Sequence, residues 1–261
     1  MNVILIAITL IIVSISLYFI FRTPKTEKFK LMSSRKTYVS MTTIPERLRD
    51  PWFLKTLKKT INLLTDDQTL IINIPLLSLK SEKYIIPDSV NALQGSNFII
   101  NRCEIDEGPI TKLLPTLRNP LVKDEDIIII CDDDIVYRKH VFGILEKGVL
   151  DNLDKVAVMC YTKVEGFKGF AFVKKVLKGM VNINIPKSCI RIDDDIVNIY
   201  MKKNNIKMST HAYKGNSHPF CSMDQPTTDT HPYWAELNIN DDRVALLKSC
   251  LSDIDIKIDP N

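Results

Sequence analysis

Three consecutive aspartates, Asp132, Asp133 and Asp134, follow directly on the apolar run Ile127–Cys131. In an extended segment side chains alternate, so Asp132 and Asp134 share one side and Asp133 takes the other. Two carboxylates converging from so short a segment repel unless a cation lies between them. Hard divalent ions such as Mn²⁺ and Mg²⁺ are held by one or two carboxylates, with phosphate oxygens completing the shell. A solvated acidic turn is the plainer explanation of the same residues. A second run, Asp193–Asp195, precedes Ile196, Ile199 and Tyr200 at helical spacing and so stands at a helix N-terminus. Capping there is an effect of about 0.5–2 kcal/mol and needs one aspartate, which leaves others for chemistry. Displacing a nucleoside diphosphate calls for a divalent ion at the leaving phosphate and a base for the attacking hydroxyl. Two separated acid clusters suit that division of labour. Spacing alone does not separate glycosyl transfer from nucleotidyl transfer.

The elements that must position these acids are readable from apolar patterning. Four isoleucines in a row, bounded by charge, indicate a strand buried on both faces. Ligands of open α/β sheets bind beyond the carboxyl ends of such strands, where Asp132–Asp134 fall. Tyr38–Thr42, Thr69–Ile74 and Asn97–Cys103 read as further strands. Apolar residues at Trp52, Phe53, Leu57, Ile61 and Leu64 predict a helix over Pro51–Leu64, capped by Asp50 with Pro51 at its first position. Glu107–Leu114 is expected to open another helix. This alternation implies a mostly parallel sheet flanked by helices, a nucleotide-binding type of half with right-handed connections. Beyond it, Val141–Leu150 reads as a helix and Val156–Tyr161 as a strand. Gly166 and Gly169 flank an aromatic in a loop whose backbone is expected to approach something closely.

With 261 residues the chain suffices for one good-sized domain plus an appendage. Its formal charge of +4 is small, and its basic residues are not interleaved with aromatics, so nucleic-acid binding is not expected. The six cysteines lie far apart and form no Cys-x-x-Cys pair, which argues against structural zinc. Nothing in their spacing asks for a disulfide framework, and Cys131 reads as a core residue. Residues 1–21 differ from the rest. No charge occurs from Val3 to Phe21, a stretch long enough to cross a hydrocarbon core of ~30 Å. It lacks the basic start and small-residue cleavage site of a signal peptide, so an uncleaved transmembrane anchor is expected. Residues 22–36 read as a short polar stem and 37–261 as the domain. Arg22, Lys25, Lys28 and Lys30 follow the span, and the positive-inside rule then favours a cytoplasmic domain.

Five segments in order carry a resemblance: Thr42–Arg47 (TTIPER), Glu107–Lys112 (EGPITK), Asp132–Asp134, Glu165–Gly169 (EGFKG) and Asp193–Asp195. Together they resemble a family of GT-A-fold glycosyltransferases marked by TTIPxR, GPATK, DDD, GFGG and late DD motifs. The match covers about residues 37–206. Ile110 stands where the pattern has alanine, and Lys168 where it has a second glycine. The resemblance implies an α/β GT-A domain using Mn²⁺ or Mg²⁺ and a nucleotide-sugar donor, a UDP-sugar, with inversion at the anomeric carbon. The acceptor is expected to be a hydroxyl of a glycan, protein or lipid. Asp132 and Asp134 would engage the ribose and the metal-diphosphate, with Asp133 assisting directly or through water. Thr43 and Arg47 would lie against the nucleotide, Lys112 would reach the base or a phosphate, and Gly166 and Gly169 would border the donor. Asp194 would be the catalytic base, with Asp193 its nearest competitor, and His218, ahead of His211 and His231, a late metal ligand. The family implies secretory-pathway membranes, against the flanking charges, so sidedness stays open. The alternatives are a metal-dependent nucleotidyltransferase and a non-catalytic, anchored glycan-binding or structural protein.

Overall fold

The isoleucine run lies at the middle of a seven-stranded mixed sheet. The computed structural model describes residues 35–159, 163–212, 220–222 and 241–254. The expected anchor lies outside these residues, as does the stem up to residue 34. Among the described residues no helix is long and apolar enough to cross a membrane. Strands β1 (Thr37–Thr42), β2 (Gln68–Pro75), β3 (Phe98–Cys103) and β4 (Ile127–Ile130) are parallel. After them come β5 (Val136–Tyr137), β6 (Lys155–Met159), β7 (Phe170–Val173), β8 (Lys207–His211) and β9 (Phe220–Ser222). The sheet order is β3-β2-β1-β4-β7-β6-β8, with β7 antiparallel to both β4 and β6, and β5 pairs with β9 in a separate ribbon. The chain runs outward from β1 to β3 and then crosses back to place β4 on the other side of β1. That reversal makes the β1/β4 boundary a topological switch point, where a crevice opens for ligands.

Strand geometry sorts the isoleucines. Ile127 and Ile129 face one side with Val39, Leu70 and Ile72, against Phe53, Leu57, Phe142 and Leu145. Ile128 and Ile130 face the other with Ile71, Phe170 and Phe172, against Leu113, Ile196 and Tyr200. Both faces are covered, as a continuous apolar run requires.

Helix α1 (Pro51–Ile61) begins as its sequence specifies, with Asp50 accepting from the Trp52 N–H at 2.8 Å and Pro51 in the first turn. It ends three residues before the apolar spacing does. The helix expected from Glu107 is instead a 3₁₀ turn over Gly108–Lys112, followed by α2 (Leu114–Arg118). Gly108 has φ +72°, and a Cβ there would lie 2.5 Å from the Ile190 side chain, so the entry is a tight turn and not a helical start. The other long helices among the described residues are α3 (Val141–Asp151), α4 (Asp193–Lys203) and α5 (Asp241–Asp253). The strand expected over Val156–Tyr161 is present as Lys155–Met159, and residues 160–162 lie outside the described residues.

One covalent feature was not expected from cysteine spacing. Cys189 and Cys250 form a disulfide across 61 positions of sequence. It joins the turn Lys187–Cys189, just ahead of α4, to α5, and the Ser188 hydroxyl adds a 2.7 Å hydrogen bond to Asp253. Cys131 is buried in the core, as expected.

Candidate active site

The acids after β4 meet the loop after β1 at the switch point. Arg47, on the short helix Pro45–Leu48, donates to Asp133 Oδ1 and, at 3.1 Å, to Asp134 Oδ2. Thr43 is buried beneath this loop, its carbonyl accepting from Tyr84 and its hydroxyl without a partner. Burial is the main reason the Asp134 carboxyl is pushed up to about 7. The Arg47 guanidinium pulls the other way, and Asp133 and Asp132 add to the rise.

Lys112 links this cluster to the second one. Its ammonium, itself buried, lies 2.7 Å from Asp132 Oδ1 and 2.8 Å from Asp193 Oδ2, both on half-buried side chains. The Asp193 oxygen is close enough for an ion pair but lies off the direction of a hydrogen bond. Burial alone would lower the lysine pKa, yet Asp132, Asp193 and Asp194 outweigh it and hold Lys112 charged, well above its ordinary value. Three buried side chains fix its backbone: Ser40 Oγ donates to the Lys112 carbonyl at 2.6 Å, and Thr116 and Asn73 hydrogen-bond Ser40 in turn.

Gly166 is the other link. Its N–H donates to Asp194 Oδ1 at 3.0 Å, and its carbonyl accepts from the Tyr137 hydroxyl at 3.3 Å. That same hydroxyl accepts from the Asp132 N–H at 2.9 Å. A Cβ on Gly166 would fall 2.3 Å from Lys112 Nζ, which is the close approach the loop's composition anticipated. Asn198, one turn along α4, holds the loop leading to Gly166 through both backbone groups of Val164, each at 3.0 Å. Asp194 is half-buried, and its carboxyl is pushed up to about 8, first by loss of solvation and then by the Asp193 charge, with Lys112 opposing.

The cap position of α4 is Ile192, which makes no side-chain cap, and Asp193–Asp195 fill the first turn. Their charges still complement the helix N-terminus, while Asp193 and Asp194 turn toward Lys112 and Gly166. The site thus gathers Thr43, Arg47, Lys112, Asp132, Asp133, Asp134, Gly166, Asp193 and Asp194. Gly169 is set apart: with φ +83° it turns the chain into β7 and packs toward Leu145. Lys168 pairs with Glu165 and lies 4.7 Å from the centre of the Phe167 ring, within its own loop. His218 and His231 lie outside the described residues. His211 bonds Ser209 and packs over Gly148, with Asp151 and Lys147 as its charged neighbours. Sequence reading missed Tyr137, Asn198 and the Ser40–Asn73–Thr116 support. Only the tyrosine's position shortly after the acids could have suggested it.

Among the described residues no three His, Cys, Asp or Glu side chains converge as a ready metal cage. The residues nonetheless fit a hard divalent ion shared with phosphate. Asp133 Oδ2 is buried without a partner, and Asp134, raised first by burial, also faces the charges of Asp133 and Asp132, which a cation would relieve.

No family model matches the chain, and no curated protein sequence does either. Solved structures do. The mixed sheet with flanking helices is a GT-A glycosyltransferase fold. The chain is similar to glucosyl-3-phosphoglycerate synthase from Mycobacterium tuberculosis, with TM-score 0.52 and 11% identity over 86% of this chain and 84% of that one. A second structure of that enzyme, with Mn²⁺, uridine diphosphate and phosphoglyceric acid, gives TM-score 0.51 at 11% identity, covering 72% of each chain.

Proposed function

We propose that the chain is a membrane-anchored, divalent-metal-dependent glycosyltransferase that moves a sugar from a UDP-sugar to a hydroxyl acceptor with inversion. One observation carries this reading: an acid triad at the switch point is joined through Lys112 and Gly166 to a second, half-buried acid pair at the start of α4. The Mycobacterium tuberculosis enzyme with this fold forms a complex with Mn²⁺ and uridine diphosphate, which supports the same donor class here.

In this reading Asp132 and Asp134 hold the metal-diphosphate, with Asp133 Oδ2 available to it. The ion's chemistry is to stabilise charge on the departing diphosphate. Arg47 orients Asp133 and Asp134. Thr43 and the loop after β1 border the nucleotide. Asp194 takes the proton of the acceptor hydroxyl as the new glycosidic bond forms, and its raised pKa suits a base near neutral pH. The Gly166 N–H fixes the carboxylate that does so.

The deciding experiment incubates the detergent-solubilised chain with UDP-sugars and Mn²⁺, and identifies the products. Release of uridine diphosphate is expected, and EDTA should abolish it. Asp194→Asn should lower kcat by about 10²–10⁴-fold, the usual worth of a general base, while uridine diphosphate still binds. Pyrophosphate released from a nucleoside triphosphate, with no turnover of sugar nucleotides, would overturn the proposal in favour of nucleotidyl transfer.

A further inference from the structure

Lys112 sets a physical problem for a metal-using site. Its ammonium is buried in direct contact with Asp132, one of the two acids assigned to the metal-diphosphate. A positive charge there repels an incoming cation and competes with it for the same carboxylate. The contact is built in. The lysine's carbonyl is held by Ser40 and, behind it, by Thr116 and Asn73. Gly166 leaves the space its side chain crosses, since a Cβ there would lie 2.3 Å from Nζ and 3.0 Å from Asp132 Oδ1. The ammonium also has a second carboxylate to go to. Asp193 Oδ2 stands 2.8 Å away and has no hydrogen bond of proper direction.

We propose that Lys112 is the site's resident counter-ion: it neutralises Asp132 in the unloaded enzyme, and moves wholly onto Asp193 when a metal-diphosphate engages Asp132. The inference rests on the metal-dependent transferase reading and deepens it. The movement is short, because both carboxylates already touch the ammonium. It has a catalytic consequence. Asp193 is the immediate neighbour of Asp194, so a lysine drawn to Asp193 compensates the charge that most strongly opposes ionisation of the base. Donor loading then prepares the acceptor side, and Lys112 is a positioning residue acting through Asp193.

The test is Mn²⁺ binding to the solubilised full-length chain without nucleotide, followed by the electron paramagnetic resonance of free Mn²⁺. Lys112→Met is expected to bind Mn²⁺ at least about tenfold tighter, because even repulsion screened as fully as in water, between a unit and a double charge about 6 Å apart, amounts to that factor. The same variant is expected to lose sugar transfer. A merely structural lysine would weaken both together. Asp193→Asn should act in the opposite sense and weaken Mn²⁺ binding, since it leaves the lysine to Asp132 alone. Unchanged or weaker Mn²⁺ binding by Lys112→Met, with its circular dichroism native, would overturn the proposal. If that variant does not fold, unchanged or tighter binding by Asp193→Asn overturns it instead. Absence of Mn²⁺ binding by the unmutated chain, even with saturating uridine diphosphate, overturns the transferase reading itself and the inference with it.

Discussion

Two carboxyls in this molecule are held far from their ordinary range, Asp134 at about 7 and Asp194 at about 8, each chiefly by burial. The sign of the consequence follows from proton linkage. A carboxyl with a raised folded-state pKa binds a proton more tightly in the folded chain than in the unfolded one. Its contribution to stability is therefore complete below about pH 4 and lost as pH rises through 7 to 8. Asp134→Asn removes one of these contributions. The difference in melting temperature, variant minus unmutated chain, should grow from pH 5 to pH 8, at about 2–4 °C per kcal/mol for a domain of this size. A difference independent of pH would contradict the assigned burial of Asp134. The acids could be found in the sequence because carboxylates crowded on one short segment are costly without a task. Their supports could not. Ser40, Asn73 and Thr116 are ordinary polar residues until parallel register brings β1 beside β2 and the 3₁₀ turn over both. Tyr137 is a core aromatic until its hydroxyl is seen between Asp132 and Gly166.

At the level of elements, β1 to β4 and α1 could be read because each rule was local: β-branched runs, a proline at the first helical position, an aspartate cap. The entry over Gly108–Lys112 could not, since the left-handed turn answers to Ile190, far along the chain. The disulfide escaped for the same reason. Its partners are 61 positions apart, and only the packing of α5 against the turn before α4 brings them together. Closing a loop of that length restricts the unfolded chain by about 4 kcal/mol in the entropy model, and less where native strain intervenes. Cys189→Ser with Cys250→Ser should therefore lower the denaturation midpoint. It should also lower turnover, because the disulfide anchors the turn that leads into Asp193 and Asp194. Equal midpoints for the oxidised and the reduced chain would show that the bond does not form or does not matter.

For the whole molecule, the apolar stretch from Val3 to Phe21 is proposed as an anchor that confines the catalytic domain to a membrane surface. The basic residues after it favour a cytoplasmic domain, whereas disulfides persist in oxidising compartments. The thiol state of Cys189 and Cys250 in intact membranes reports which side the domain faces. The fold itself sets the acids at a switch-point crevice, which is proposed to take the nucleotide, but the sugar and the acceptor depend on loops whose shapes no local pattern encodes. The first measurement to make is thermal unfolding of the solubilised chain with a panel of nucleotide sugars, each in Mn²⁺ or in EDTA. A ligand at a hundred times its dissociation constant adds about 2.7 kcal/mol of stability, a readable shift. A UDP-sugar should raise the melting temperature in Mn²⁺ but not in EDTA, and Asp134→Asn should erase the effect. Equal stabilisation in EDTA, or stabilisation that survives Asp134→Asn, would contradict a metal-diphosphate held by the acids that follow β4.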